Sequence, residues 1–209
     1  ISLILVVLEG VIFRYVFIPA ELPLLQETES SESILKFIPN QTGIYRKHDE
    51  ISAKFRINSN GWNSRHDLFL DHKNIGETRI CIIGDSYIEA LQVDFDKSVA
   101  EVLEDQLDKS RTKVYRLGIS GAPLSQYLYM LEKEALLYQP DIVVLNLAHN
   151  DFDESLFGTG GSYDVGFAKF GYKESGSLGR IDPGTYERNF AWWIKRSGIY
   201  RYWWVRKEA

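Results

Sequence analysis

Cysteine is almost missing from this chain: Cys81 stands alone among 209 residues. An intramolecular disulfide framework is therefore excluded, whatever the compartment. Cys81 falls inside the apolar stretch Ile80-Cys81-Ile82-Ile83, where a thiol is expected to act as small core filler rather than as a reactive group. Histidine is scarce as well, at four positions, and the His, Asp and Glu residues lack the spacing of metal ligands, so no metal site is expected. Positive charge is in deficit, with 24 Lys and Arg against 29 Asp and Glu for a net −5. That leaves no basic stripe for a phosphate backbone, and no nucleic-acid partner is expected. Gly158-Thr159-Gly160-Gly161 follows no strand, so neither a phosphate loop nor a dinucleotide fingerprint is present, and no cofactor is expected.

What remains is an ordinary globular balance, 44% hydrophobic and 25% charged, in a length that suits one packed domain and not two. The longest apolar run covers residues 1–18, broken by Ser2, Glu9, Gly10 and Arg14. A spanning helix needs about 20 apolar residues, and the chain opens on Ile rather than Met. A membrane anchor over residues 1–20, incomplete at its N-terminal side, is the expectation. A secretory signal is the rival reading, but no small-residue cleavage site follows. An amphipathic surface helix would carry more charge along one face. Residues 21–33 contain Glu21, Glu27, Glu29 and Glu32 and no Lys or Arg, which by the positive-inside rule favours an extracytoplasmic domain, periplasmic or at the cell surface. Residues 21–54, with Pro23, Pro39 and an acidic Ser-rich run, read as a linker or stalk.

From residue 79 the pattern turns regular. A strand over 79–83 precedes a helix over 98–107, in which Val99, Val102, Leu103 and Gln106 have helical spacing. A strand over 113–117 leads through the turn Gly118 to Pro123 into a helix over 124–138, with Leu124, Leu128, Leu131 and Ala135 on one stripe. Gln139-Pro140-Asp141 stops that helix, and residues 142–147 read as a buried strand. Strand and helix alternating at this spacing predict an α/β fold with a central parallel sheet. Residues 157–184 read as a long surface excursion. The aromatic, basic stretch 186–207 reads as a helix whose tryptophans pack on the sheet, with a membrane-surface or partner-binding helix as the alternative.

Three expected strand ends carry polar groups to one edge of that sheet, the edge where open α/β sheets bind ligands. Acyl transfer needs a nucleophile, a base and donors for the oxyanion. Ser86 in Gly84-Asp85-Ser86 suits the first role. The backbone N–H groups of Ser86 and Gly121, with the Asn150 side-chain amide, suit the third.

These blocks, Gly84-Asp85-Ser86, Gly118-Ile119-Ser120-Gly121 and Ala148-His149-Asn150-Asp151, resemble in order three of the four blocks of the SGNH hydrolases, a branch of the GDSL esterase and lipase superfamily. The resemblance covers about residues 55–205. It implies a three-layer α/β/α flavodoxin-like domain over 55–209, Ser86 as nucleophile, and Gly121 and Asn150 as oxyanion donors. Asn58-Ser59-Asn60-Gly61-Trp62-Asn63-Ser64-Arg65 also resembles a segment of membrane-anchored bacterial members, as does the N-terminal run. The implied activity is a serine ester hydrolase working through an acyl-serine on an acyl ester, an acetylated cell-envelope polysaccharide among the substrates.

Two departures stand out. Ala148 replaces the usual Gly of the third block. The fourth block, Asp-x-x-His, which in the family supplies the base, has no match: His48, His66 and His72 precede the nucleophile without an Asp three residues before, and His149 neighbours Asn150. The domain is therefore expected to be incomplete at its C-terminal side, with little esterase activity from these residues alone. Three alternatives stay open: an α/β-hydrolase using Ser120, a non-catalytic membrane-anchored binding or assembly module, and an O-acetyltransferase.

Overall fold

The computed structural model describes residues 2–16, 21–29, 33–47, 50–158, 166–173, 176–188 and 190–207. Helix α1 (Ser2–Val7) runs into a π-helical stretch, Leu8–Val16. β1 (Thr42–Lys47) and β2 (Ile51–Arg56) pair antiparallel. β3 (Thr78–Gly84), β4 (Thr112–Gly118) and β5 (Ile142–Leu145) then form a parallel sheet in the order β4-β3-β5. Between these strands lie α2 (Ser86–Glu89), α3 (Val99–Gln106) and α4 (Leu124–Lys133), and α5 (Asn150–Asp153) follows β5. A second antiparallel pair, β6 (Lys169–Tyr172) and β7 (Leu178–Ile181), precedes α6 (Phe190–Arg196) and α7 (Gly198–Lys207).

The β-branched run of β3 suits a strand buried on both faces. Alternation sends Ile80 and Ile82 to one side, where they join Val114, Ile88, Ala100 and Leu103. Cys81 and Ile83 point to the other, among Tyr115, Leu117, Trp62, Tyr127 and Met130. Chain direction explains the two layers. The β3–β4 crossover moves one way across the sheet and the β4–β5 crossover moves back past β3, so right-handed connections put α3 and α4 on opposite faces. Cys81 is fully buried, and burial pushes its thiol up to about 12, as expected of core filler.

Several expectations fail for a shared reason, that this protein buries polar side chains. In α3, Val99 and Val102 are exposed while Glu101 and Glu104 are buried. Glu101 faces the Arg116 guanidinium at 3.3 Å. Glu104 binds Arg65 at 3.0 Å and His66 at 2.8 Å. In α4, Leu128 is exposed, and the buried face carries Ser125, Gln126 and Tyr127 beside Tyr129 and Met130. The helix ends at Lys133, before Glu134, whose carboxylate accepts from Lys36, Trp62 Nε1 and the Tyr138 hydroxyl. A 3₁₀ turn, Ala135–Tyr138, completes the segment.

β5 is shorter than expected and is not buried: Ile142 is 49% exposed and Leu145 43%. It pairs with β3 on one side, and among the described residues nothing pairs with its other edge. The expected excursion over 157–184 contains the β6–β7 hairpin, and Phe167 and Ala168 are buried against α4, with Ala168 N–H donating to Gln126 Oε1 at 2.8 Å. Residues 21–54, read as a linker, contribute the β1–β2 hairpin and buried Leu35 and Phe37.

At the N-terminus, Glu9 accepts hydrogen bonds from the N–H groups of Gly198 and Ile199, capping α7, and Phe13 packs on Tyr202 at 5.2 Å between ring centroids. Among the described residues no helix is long and apolar enough to cross a membrane. Trp193 is 60% exposed, against the expectation of packing on the sheet. The side chains of Trp192, Trp203 and Trp204 lie outside the described residues.

Candidate active site

The parallel register sets Gly84 beside Gly118, and Asn146 N–H donates to Ile83 O at 2.9 Å. Three strand ends therefore finish nearly level at the C-terminal edge, with Ser86, Gly121 and Asn150 two to five residues beyond. The chain reverses direction across the sheet between β3 and β5, and at such a switch point the diverging loops open a crevice.

Gly84 is confined: a Cβ there would lie 3.3 Å from the Asn146 Cβ and would run into Ile88. Asp85 caps α2, its Oδ1 accepting from Tyr87 N–H at 3.0 Å. This short helix begins at Ser86 and is followed at its C-cap by Ala90, a non-glycine residue in the left-handed region at φ 52 and ψ 48. Backbone strain of about 1–2 kcal/mol is thus held just behind the serine. Ser86 is half-buried, and its hydroxyl donates to Asp85 Oδ2 at 3.4 Å, the long end of the useful range.

The second block folds as a type II turn. Ala122 N–H donates to Ile119 O at 3.0 Å and Gly121 sits at φ 76, the third-position geometry that favours glycine. Ser120 occupies the second position, and its hydroxyl donates to Oε2 of Glu89. Glu89 is almost fully buried. Burial pushes its carboxyl up to about 7, against the pull of Ser120 and Arg116 and with a further push from Asp85.

The third block is organised by Asp151, which is fully buried. Its Oδ2 accepts from Ala148 N–H at 2.7 Å and from the Tyr127 hydroxyl at 2.9 Å, while its N–H donates to Ala148 O at 3.2 Å. These bonds fix the tight turn that carries Asn150. Burial, reinforced by Asp151 and Asp85, raises the Tyr127 phenol well above its ordinary value, so it stays a donor. Behind it, Ser155 Oγ donates to Asp151 O at 2.6 Å and accepts from Ser125 N–H at 3.0 Å.

The donors and the base fare differently. Among the described residues, no acceptor takes the N–H of Ser86, the N–H of Gly121 or the side-chain amide of Asn150. Three unclaimed donors at one sheet edge are what a developing oxyanion requires. Among the described residues no histidine hydrogen-bonds to Ser86: His66 pairs with Glu104, His72 with Asp71 at 3.0 Å, and His149 is exposed. His48 lies outside the described residues.

Sequence reasoning passed over Glu89 and Tyr127, and gave Asp151 no role beyond its place in the third block. Glu89 had a visible signal, as an acid three residues after the serine inside an otherwise apolar Tyr87-Ile88-Ala90-Leu91 context. Tyr127 had none, because its partner is distant in sequence. Among the described residues no cluster of His, Cys, Asp or Glu could hold a metal ion. No protein-family model, no curated protein and no solved structure matches the chain.

Proposed function

We propose that the chain is a serine ester hydrolase of the SGNH type, with a flavodoxin-like three-layer domain, in which Ser86 attacks an acyl ester. The observation that carries this reading is the trio of donors without acceptors, Ser86 N–H, Gly121 N–H and the Asn150 amide, at the ends of three adjoining parallel strands. Attack by Ser86 Oγ on the ester carbonyl forms the C–O bond of a tetrahedral intermediate, whose oxyanion these donors would hold. Collapse expels the alcohol and leaves the acyl-serine. The serine proton needs an acceptor, and Asp85 at 3.4 Å, already engaged with Tyr87, is a poor one. Slow acylation by these residues alone is the consequence. Acetylated envelope glycans as substrate, an extracytoplasmic location and a membrane anchor over residues 1–20 belong to the same proposal.

A second reading has one observation in its favour. Ser120, not Ser86, has its hydroxyl on a carboxyl that titrates near neutrality. Prolonged incubation with a fluorophosphonate, followed by peptide mass spectrometry, separates the two. The SGNH reading expects an adduct on Ser86, slowed about 10²-fold by Asn150→Ala through loss of an oxyanion donor. An adduct on Ser120 alone, or none on either serine, overturns it.

A further inference from the structure

The turn bearing Gly121 is tied to the helix bearing Ser86 through one side chain. Glu89 closes α2, and its backbone is fixed on three sides. Its carbonyl accepts from Arg116 at 3.0 Å and from Asn63 Nδ2 at 2.9 Å. Gly118 lies so close that a Cβ there would sit 2.9 Å from the Glu89 Cα. With the peptide immobilised, the carboxyl is held by Ser120, through the Ser120 hydroxyl and the Ser120 backbone N–H. Ser120 is the second residue of the type II turn, so its side chain anchors the Ser120–Gly121 peptide whose N–H points either way according to turn type.

We propose that Glu89 is a positioning residue, which through Ser120 holds the Ile119–Ala122 turn in its type II form and thereby aims the Gly121 N–H. The assignment rests on reading Gly121 as an oxyanion donor, but the clamp itself is a geometric claim that holds or fails without turnover. Charged neighbours on every side bear on it: Asp85 at the head of the same helix, Arg116 on β4, and Glu101 on α3, which faces Arg116 at 3.3 Å. The carboxyl changes charge near neutral pH. A hydrogen bond to a carboxylate is shorter and stronger than one to the neutral acid. The clamp therefore tightens as pH rises through that point.

The test is a pH titration of the Gly121 amide by ¹⁵N–¹H NMR on the intact chain, in wild type, Glu89→Gln and Ser120→Ala. The wild-type Gly121 signal should move with a midpoint near pH 7; the movement should vanish in Glu89→Gln and shrink in Ser120→Ala, which keeps the Ser120 N–H. A titration that persists unchanged in Ser120→Ala reports only the distant charge and overturns the proposal, as does a static Gly121 signal in wild type. Ser120→Ala removes only an oxygen, so it decides the matter should Glu89→Gln fail to fold. Loss of fluorophosphonate labelling at Ser86 with a normal Gly121 titration would retire the hydrolase reading and leave the clamp standing.

Discussion

Replacing Glu89 with Gln should stabilise the protein at pH 8 and leave it nearly unchanged at pH 4. A carboxyl raised from 4.5 to about 7 binds its proton more tightly folded than unfolded. Its contribution to stability is complete below pH 4.5 and is lost as pH rises through 7. At about 1.4 kcal/mol per pH unit, the whole interval is worth about 3 kcal/mol. Glutamine resembles the protonated acid in shape and lacks the charge, so the variant escapes that loss. Urea unfolding at pH 4, 6 and 8 would read the difference between variant and wild type directly. It should grow by about 3 kcal/mol across the range. A difference flat to within about 1 kcal/mol would refute the reasoning, because Glu89 would then titrate as an ordinary carboxylate. Glu104 supplies the opposite sign. Burial disfavours its charge, but His66, the Val114 N–H and Arg65 outweigh burial and hold it down to about 2. Its contribution is complete above pH 4.5 and is lost as pH falls toward 2. Glu104→Gln should therefore destabilise at pH 7, and the deficit should shrink on acidification.

Gly118→Ala drives a Cβ into the Glu89 backbone, which cannot yield as a flexible side chain would, and should cost about 1–3 kcal/mol in urea unfolding. Tyr127→Phe leaves the buried Asp151 carboxylate short of a donor and should cost a similar 1–3 kcal/mol, with line broadening of the Asn150 signals by NMR. Cys81 should resist a thiol reagent such as dithionitrobenzoate in the native state at pH 8 and react fully in urea, since burial holds the thiol near 12.

The parallel sheet was legible because β3 and β5 are short apolar runs and because β3 and β4 end at glycines. β3 and β4 fall within two residues of their expected bounds. Ser86, Gly121 and Asn150 were legible as strand-end residues for the same reason. The helix faces were not. Amphipathic reading assumes that apolar residues go inward, and here α3 turns Glu101 and Glu104 inward to meet Arg116, Arg65 and His66. Such partners lie on other elements, and no local period announces them. The β6–β7 hairpin was missed because its strands are four residues each and paired through Gly171 and Gly179, which offer no side-chain pattern.

The same buried polar groups account for what the candidate site has and lacks. Two of the three proposed oxyanion donors are carried by turns with an acid behind them: Glu89 behind Gly121, and Asp151 behind Asn150. Both acids are buried, so their hydrogen bonds are worth more than surface ones and more costly to break. Ser86 is served differently. Its own turn is braced by Asp85, but that brace occupies the nearest carboxylate with Tyr87 and leaves the serine hydroxyl a 3.4 Å contact. Under the proposed function, stabilising the oxyanion and activating the nucleophile would therefore rest on separate parts of this fold. The first would rest on the turns that follow β4 and β5. The second would call for a proton acceptor beyond Asp85, whose Oδ1 is taken by Tyr87 N–H and whose Oδ2 lies 3.4 Å from the Ser86 hydroxyl.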